Sequence, residues 1–344
     1  MSLIATPLSV RNSVLKTRLV MAPMATGRAN EDGLVTRNLC DYYHRRAKAG
    51  GLGAIIVEHA FIHPQGRLAP NQLSIATDDC IEGLSQLVGS IHEPFGGTLA
   101  ICQLTHAGSN ALPADLSNGL VAPSACIHPG HKRSGNTGLV PHALTSHEIH
   151  ELTDCFCEAA QRAEAAGFDG VELHAAHGYL LDQFYSPLTN HRDDEYGPQS
   201  IENRTRFLCE TIQRVRESVG EIFLIAVRFG PCDYAPNGAV LEDGPQAAVL
   251  LEQAGADIID VSGGMFNFSA HELRPPGFFR ESSTAIHAAI HIPVLTAGGV
   301  HLPQEAEWLL QTGATDLVGI GRLLMRQPDW AAKAISSLCQ VGVL

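Results

Sequence analysis

Three side chains with acid–base chemistry, His174, His177 and Tyr179, lie close together in one short stretch of the sequence. Two imidazoles and a phenol at the end of one strand can bind a substrate oxygen and supply a proton. The same histidines, with Glu172 and Asp182 nearby, also offer ligands for a metal ion. The residue types therefore predict a site for acid–base chemistry. The alternatives are a metal site and a packing role, with one histidine in the core and Tyr179 packed against it.

Two more polar residues end strands that are otherwise apolar. Arg228 follows the apolar run at 222–227, and a guanidinium at such a position must pair with an anion or face a ligand. A salt bridge to Glu58 or Glu172 and a role in ligand binding are both open. The amide of Gln103 can form hydrogen bonds with the donor and acceptor edge of a planar heterocycle, or it can form hydrogen bonds that hold a loop in place.

One local pattern recurs and predicts the architecture. A glycine that can end a helix is followed by a short run rich in Val and Ile at Gly50, Gly167, Gly255 and Gly313. With the runs between these copies, eight strands alternate with eight helices, which is typical of parallel βαβ units. The predicted strands are 18–22, 54–58, 98–104, 170–174, 223–229, 258–262, 293–297 and 317–320. The predicted helices are 37–49, 81–92, 146–166, 201–219, 241–253, 282–290, 303–311 and 329–338.

Eight strands in 344 residues predict an α/β fold, one (β/α)₈ TIM barrel domain spanning residues 1–344. A doubly wound open sheet is disfavoured because no Gly-x-Gly-x-x-Gly follows the first strand. The extra length is assigned to a strand pair around 7–18 and to a long, functional loop at 107–145, after the third strand. Since this fold builds its site at the C-terminal strand ends, the polar strand ends are expected to meet there.

Composition narrows the class of protein. Lys and Arg number 23 against 36 Asp and Glu, so the net charge of −13 disfavours nucleic-acid binding. The apolar runs are too short to span a membrane, and the first residues lack the pattern of a secretory signal. Nine unpaired cysteines are typical of reduced thiols. We expect a cytoplasmic protein that acts on a small molecule.

Glycines end the last two predicted strands. Gly298 and Gly299 follow the seventh strand, and Gly321 with Arg322 follows the eighth. In this fold the loops after these strands commonly bind phosphate through backbone N–H groups. Tight turns that any barrel needs are the alternative reading, and the nearby arginine favours phosphate.

Motifs along nearly the whole chain, from about residue 7 to 330, resemble the old yellow enzyme family. They are RLVMAPM at 18–24, QLTHAG at 103–108, HAAHGYL at 174–180, SPLTNHRDDEYG at 186–197 and ENR at 202–204. The resemblance implies a barrel with noncovalent FMN that takes electrons from NADH or NADPH. It also implies ping-pong hydride transfer through flavin N5 to alkenes activated by a carbonyl or nitro group.

The resemblance assigns roles by position. His174 and His177 would bind the substrate oxygen, Tyr179 would donate a proton to the α-carbon, and Thr26 would help to bind the substrate. The implied flavin contacts are Pro23, Met24, Ala25 and Ala60 at the ring system, Gln103 at the pyrimidine edge, Arg228 near N1 and O2, and Gly298, Gly299, Gly321 and Arg322 at the phosphate. No metal is implied.

Two departures from the family pattern stand out. Ala25 occupies a position where many relatives carry Thr or Cys against the flavin, which bears on its redox behaviour. The sequence stops at Leu344 without the clustered cysteines of longer relatives, so we expect electrons to come directly from NAD(P)H.

The competing hypotheses are oxidative N-demethylation on the same scaffold, a metal-dependent barrel hydrolase and a noncatalytic binding barrel. The physiological substrate, the choice of NADH or NADPH and any homo-oligomeric state stay open.

Overall fold

The computed structural model describes residues 2–94, 97–112, 119–130, 139–266 and 276–341. The strands are β1 (Leu8–Val10), β2 (Ser13–Leu15), β3 (Leu19–Met21), β4 (Ala54–Phe61), β5 (Leu99–Thr105), β6 (Val121–Ala122), β7 (His142–Ala143), β8 (Gly170–Ala175), β9 (Leu224–Phe229), β10 (Ile258–Val261), β11 (Val294–Ala297) and β12 (Leu317–Ile320). The α-helices are α1 (Arg37–Ala49), α2 (Ile81–His92), α3 (Ser146–Ala165), α4 (Leu180–Tyr185), α5 (Ile201–Val219), α6 (Asp243–Gln253), α7 (Arg280–His287), α8 (Pro303–Gln311), α9 (Arg322–Arg326) and α10 (Trp330–Val341).

Eight parallel strands close into a barrel in the order β10, β11, β12, β3, β4, β5, β8, β9. Chain order is kept around the ring, with the long connection after β5 carrying the small parallel pair β6 and β7. The predicted (β/α)₈ barrel is therefore confirmed. Each predicted helix is present with shifts of a few residues at its ends, and the extension to a single domain over 1–344 stays a prediction.

The interior of the barrel changes from apolar to polar along the strands. Side chains of alternate strand residues face the same side, and Leu224, Ala226 and Ile258 belong to the apolar cluster that fills the lower interior. The next positions on the same faces carry Arg228 and Asp260, both buried. Charged groups thus lie one layer above an apolar floor, at the C-terminal end of the barrel.

The predicted N-terminal strand pair forms the antiparallel hairpin β1–β2. Val10 and Leu15 of this hairpin pack into the lower interior cluster. Arg11 at its turn bonds to Asp257, which also accepts from Arg216 at 2.6 Å. The hairpin therefore covers the end of the barrel opposite the polar strand ends.

The predicted functional loop at 107–145 falls partly at 113–118 and 131–138, outside the described residues. The described part contains a 3-10 turn at Gly108–Asn110 and pairs Val121 with His142. In the described ranges no helix combines the length and apolar character needed to cross a membrane.

Candidate active site

A cavity of about 350 Å³ lies at the C-terminal ends of the barrel strands. Its volume is in the range typical of small-molecule sites. It brings together all the predicted site residues except Ala60 and Thr26. Those that line it are Pro23, Met24, Ala25, Gln103, His174, His177, Tyr179, Arg228, Gly298, Gly299, Gly321 and Arg322.

The rings of His174, His177 and Tyr179 pack edge to face at one wall of the cavity. The His174 ring centroid lies 4.9 Å from that of His177 and 4.7 Å from that of Tyr179. His174 is on β8, whereas His177 lies in the turn that follows and Tyr179 directly precedes α4. Three positions close in sequence thus present their polar groups to one small volume.

The turn between β8 and α4 is held in an unusual backbone conformation. His177 has φ +64° and Gly178 has φ +74°, a region that L side chains seldom adopt. Gly178 N donates to Asp182 Oδ2 at 2.7 Å, and Gly178 O accepts from Asn110 Nδ2 at 2.8 Å and Gln183 Nε2 at 2.7 Å. These bonds offset the strain and fix Tyr179 beside the histidines.

Buried polar groups form a hydrogen-bonded chain below the cavity. Gln103 Nε2 donates to Glu172 Oε1 at 2.7 Å, and Glu172 and Asp260 are hydrogen-bonded to each other. Arg228 pairs with Asp260, and its other amino group lies 3.3 Å from Ser262 Oγ. The sequence had suggested Glu58 or Glu172 as the partner of Arg228, and the structure corrects this to Asp260.

A hydrogen bond between two carboxyl groups requires a proton. Glu172 Oε2 and Asp260 Oδ1 are buried, and apart from the Glu172–Asp260 bond itself no N–H or O–H group within the described ranges donates to them. Burial raises the pKa of Glu172 well above its usual value, and the nearby Asp260 charge raises it further. Burial also raises the pKa of Asp260, which the Arg228 charge opposes. Glu172 is accordingly the neutral partner and Asp260 the carboxylate.

Glu172→Gln tests the protonated state of Glu172. The folded protein holds a proton that the unfolded chain releases above about pH 4.3. The wild-type free energy of unfolding therefore falls as pH rises from there toward the folded pKa, by up to about 1.4 kcal/mol per pH unit. A neutral glutamine removes this contribution, so the variant gains stability relative to wild type with rising pH. Urea unfolding between pH 4.5 and 8 measures the difference.

The exposed Glu31 provides the matched control, since Glu31→Gln removes a carboxylate in water. Its unfolding free energy is expected to follow the wild-type pH profile. A Glu172→Gln profile parallel to that of wild type would contradict a protonated Glu172.

The upper part of the site favours neutral hydrogen-bond donors. Burial is the main cause that lowers the pKa of His174 and His177 well below their usual value, and the Arg228 charge adds to it. Burial raises the pKa of Tyr179 to about 12. At neutral pH these three groups can donate hydrogen bonds without carrying a charge.

The opposite wall of the cavity is built from glycine backbone. Gly298 and Gly299 have φ +135° and +68°, and a Cβ at Gly299 would lie 2.4 Å from the Phe278 ring. A Cβ at Gly321 would lie 2.8 Å from Met24 Sδ. Side chains are excluded here, so backbone N–H groups and Arg322 are left to meet an anion.

Ala60 and Thr26 are not among the residues that line the cavity. The β4–β5 pairing shifts register between Val57 and Ala60, and Ala60 packs fully buried in the core between barrel and helices. Thr26 is held by Glu58, whose Oε1 accepts from the Thr26 hydroxyl at 2.8 Å. Their predicted contacts with flavin and substrate thus gain no support from this placement.

Several lining residues were not among the predicted site residues. They are Ala22, His59, Ser262, Phe278, Phe279, Ala297, Val300, His301, Gly319 and Leu323. Ser262 lies 2.7 Å from His177 Nε2 and joins the histidine to the Arg228 network. His59 and Ser262 stand at ends of predicted strands, which is the signal that would have identified them.

As for the competing metal site, the described residues contain no group of three or more His, Cys, Asp or Glu side chains placed to hold a metal ion.

Comparisons with known proteins identify the family and the relatives that this chain is similar to. Residues 4–340 match the NADH:flavin oxidoreductase / NADH oxidase family. The chain is 40% identical over 333 residues to an NADH oxidase of Thermoanaerobacter brockii, a match that covers 94% of this chain and 49% of that protein. This chain therefore spans about half the length of that relative.

A second relative and a solved structure match over almost their full lengths. An NADPH dehydrogenase of Geobacillus thermodenitrificans is 37% identical over 334 residues, which is 96% of this chain and 93% of that protein. The structure of the old yellow enzyme homologue from Zymomonas mobilis superposes with a TM-score of 0.84 at 30% identity and covers 98% of this chain and 93% of its own.

Proposed function

Because the chain belongs to the NADH:flavin oxidoreductase family, the family of the old yellow enzymes, we propose that it is an FMN-dependent ene reductase. In this role it takes electrons from NADH or NADPH and reduces a C=C bond activated by a carbonyl or nitro group. The observation that supports the proposal is the convergence of a phenol and two neutral imidazoles on one cavity beside a buried guanidinium.

The residues present fit a flavin mononucleotide. Arg228 Nε is buried, and no acceptor in the described part of the chain bonds to it, so the guanidinium has donor capacity left for a ligand. Gln103 uses one amide N–H on Glu172, which leaves its carbonyl oxygen and second N–H for a heterocycle edge. Gly298, Gly299, Gly321 and Arg322 would hold the phosphate, and Pro23, Met24 and Ala25 would lie along the ring system.

When bound, FMN supplies two-electron chemistry between the nicotinamide and the alkene. The protein residues perform the rest of the reaction. His174 and His177 donate hydrogen bonds to the substrate oxygen and stabilise the negative charge that develops on it. Tyr179 holds a proton at its phenolic oxygen and delivers it to the α-carbon. Arg228 would supply a positive charge where the ring system binds, and that charge would stabilise negative charge on the ring.

Anaerobic spectroscopy of the purified protein tests this function. We expect a yellow protein that NADH or NADPH bleaches and that a cyclic enone, added without oxygen, restores to yellow with one saturated ketone per turnover. Bleaching by a methylated amine and release of an aldehyde would favour oxidative N-demethylation. A colourless protein with one equivalent of zinc would overturn the flavin assignment.

A further inference from the structure

His59 is a third imidazole at the cavity, with no role in the reaction described above. His59 lies on β4 and lines the cavity. Its ring nitrogen Nδ1 contacts Gln72. Its ring centroid is 6.0 Å from that of Tyr179 and 6.4 Å from that of His174. The side chain therefore stands beside the proton donor, farther from His174 than His177 is.

The hydrogen bonds around Gln72 determine the tautomer of His59. Leu68 N donates to Gln72 Oε1 at 2.7 Å, so the amide oxygen is fixed as the acceptor and Nε2 as the donor. Gln72 Nε2 then lies 2.7 Å from His59 Nδ1 and 3.1 Å from the His59 carbonyl oxygen. Because Nδ1 accepts this bond, the ring proton is on Nε2.

The Nε2–H group is available to a ligand. Across the described ranges, the hydrogen bond of the His59 ring is the one through Nδ1, and the ring faces the cavity. Burial lowers the pKa of His59 to about 4. Among the residues that the structure describes, the titratable groups that face His59 are His174, His177 and Tyr179, and none of these is a carboxylate that would oppose the effect of burial. His59 is a neutral donor at physiological pH.

We propose that His59 is a substrate-binding residue that donates a hydrogen bond from Nε2 to a second acceptor on the substrate. His174 and His177, with ring centroids 4.9 Å apart, are close enough to converge on one oxygen, whereas the His59 centroid lies 6.4 Å from that of His174. The site therefore prefers alkenes flanked by two acceptor groups, such as ene-diones, over alkenes with a single carbonyl. This inference rests on the proposed function, whose substrate class it narrows.

Two substrates that differ only in a second carbonyl test the preference: a trimethylcyclohexene-dione and the corresponding trimethylcyclohexenone. We expect the wild-type protein to have the higher kcat/KM for the dione. In His59→Leu the ratio of the two kcat/KM values falls roughly 3- to 10-fold, as for one neutral hydrogen bond. Gln72→Leu is expected to lower the ratio as well, because without the Gln72 bond to Nδ1 the proton of His59 is no longer held on Nε2. An unchanged ratio in His59→Leu overturns the proposal.

His63→Leu is the matched control. His63 lies two residues beyond the end of β4, and its Nδ1 also accepts a bond, from Gln65 N at 3.3 Å, but its side chain does not line the cavity. The substrate ratio of this variant is expected to equal that of wild type. A fall of the same size would show that loss of any imidazole near the end of β4 changes the ratio, and would overturn a direct contact by His59.

A measurement without turnover separates this proposal from the proposed function. Two-bond ¹H–¹⁵N NMR spectra of the purified protein, compared with His59→Leu to assign the signal, report the tautomer of His59. We expect the Nε2–H form, without titration down to pH 5. An Nδ1–H form or a midpoint near pH 6.5 overturns the proposal. Failure of the wild type to reduce either alkene would instead contradict the proposed function and leave the tautomer result standing.

Discussion

Replacement of Tyr179 by phenylalanine is expected to slow alkene reduction roughly 10²- to 10⁴-fold, the usual contribution of a positioned general acid. Phenylalanine keeps the ring that packs 4.7 Å from His174 and removes only the phenolic O–H. Burial raises the pKa of Tyr179 to about 12, so the phenol stays protonated in the wild-type protein. The wild-type rate of alkene reduction should therefore be independent of pH from 6 to 9. Stopped-flow reoxidation of the NADPH-reduced protein by an enone measures the effect.

The specificity of this result depends on two comparisons. Bleaching by NADPH should continue in Tyr179→Phe, because the phenol is not part of the proposed flavin contacts. Tyr185→Phe, on the adjoining helix α4, removes a hydroxyl that donates to Pro231 O at 3.3 Å. That variant should lose about 1 kcal/mol of stability and keep its reoxidation rate. Reoxidation of Tyr179→Phe at the wild-type rate would mean that another group supplies the proton.

The prediction of the barrel from sequence succeeded because its signals are local and repeated. A glycine at the end of four of the predicted helices and an apolar run after it indicate where strands begin, and parallel strands bring their ends to one edge. His174 and Arg228 are paired in register across β8 and β9. Both residues end predicted strands, so their meeting at the C-terminal edge of the barrel could be predicted, although their pairing depends on the register.

Contacts that depend on the register between strands or on a bulge could not be predicted from the sequence in this way. Arg228 pairs in register with Asp260 across β9 and β10, and alternation from Ile258 places Asp260 inward. The alternation of residues in the predicted strand therefore indicates that Asp260 faces inward. Identifying Asp260 as the partner of Arg228 also requires the register between the two strands. The β4–β5 register shifts between Val57 and Ala60, and His59, not Ala60, lines the cavity. The sequence places His59 at a strand end, but it does not predict the register shift.

Replacement of Arg228 by leucine is expected to have two separable effects. Asp260 is fully buried, and loss of its guanidinium partner leaves an uncompensated carboxylate in the barrel. Breaking a buried ion pair from one side costs about 3–5 kcal/mol, so the free energy of unfolding should fall by that amount. Flavin affinity should fall as well, because Arg228 lines the cavity and has donor capacity left for the ring.

The double variant Arg228→Leu, Asp260→Asn separates the two effects. Removing the carboxylate charge eliminates the unpaired ion, so most of the lost unfolding free energy should return, as measured by urea denaturation. Flavin affinity, measured by quenching of its fluorescence, should stay as weak as in Arg228→Leu, since no cation has been restored. Recovery of both quantities together would mean that Arg228 serves the cofactor only by neutralising Asp260. Recovery of stability alone assigns the guanidinium a direct contact with the flavin.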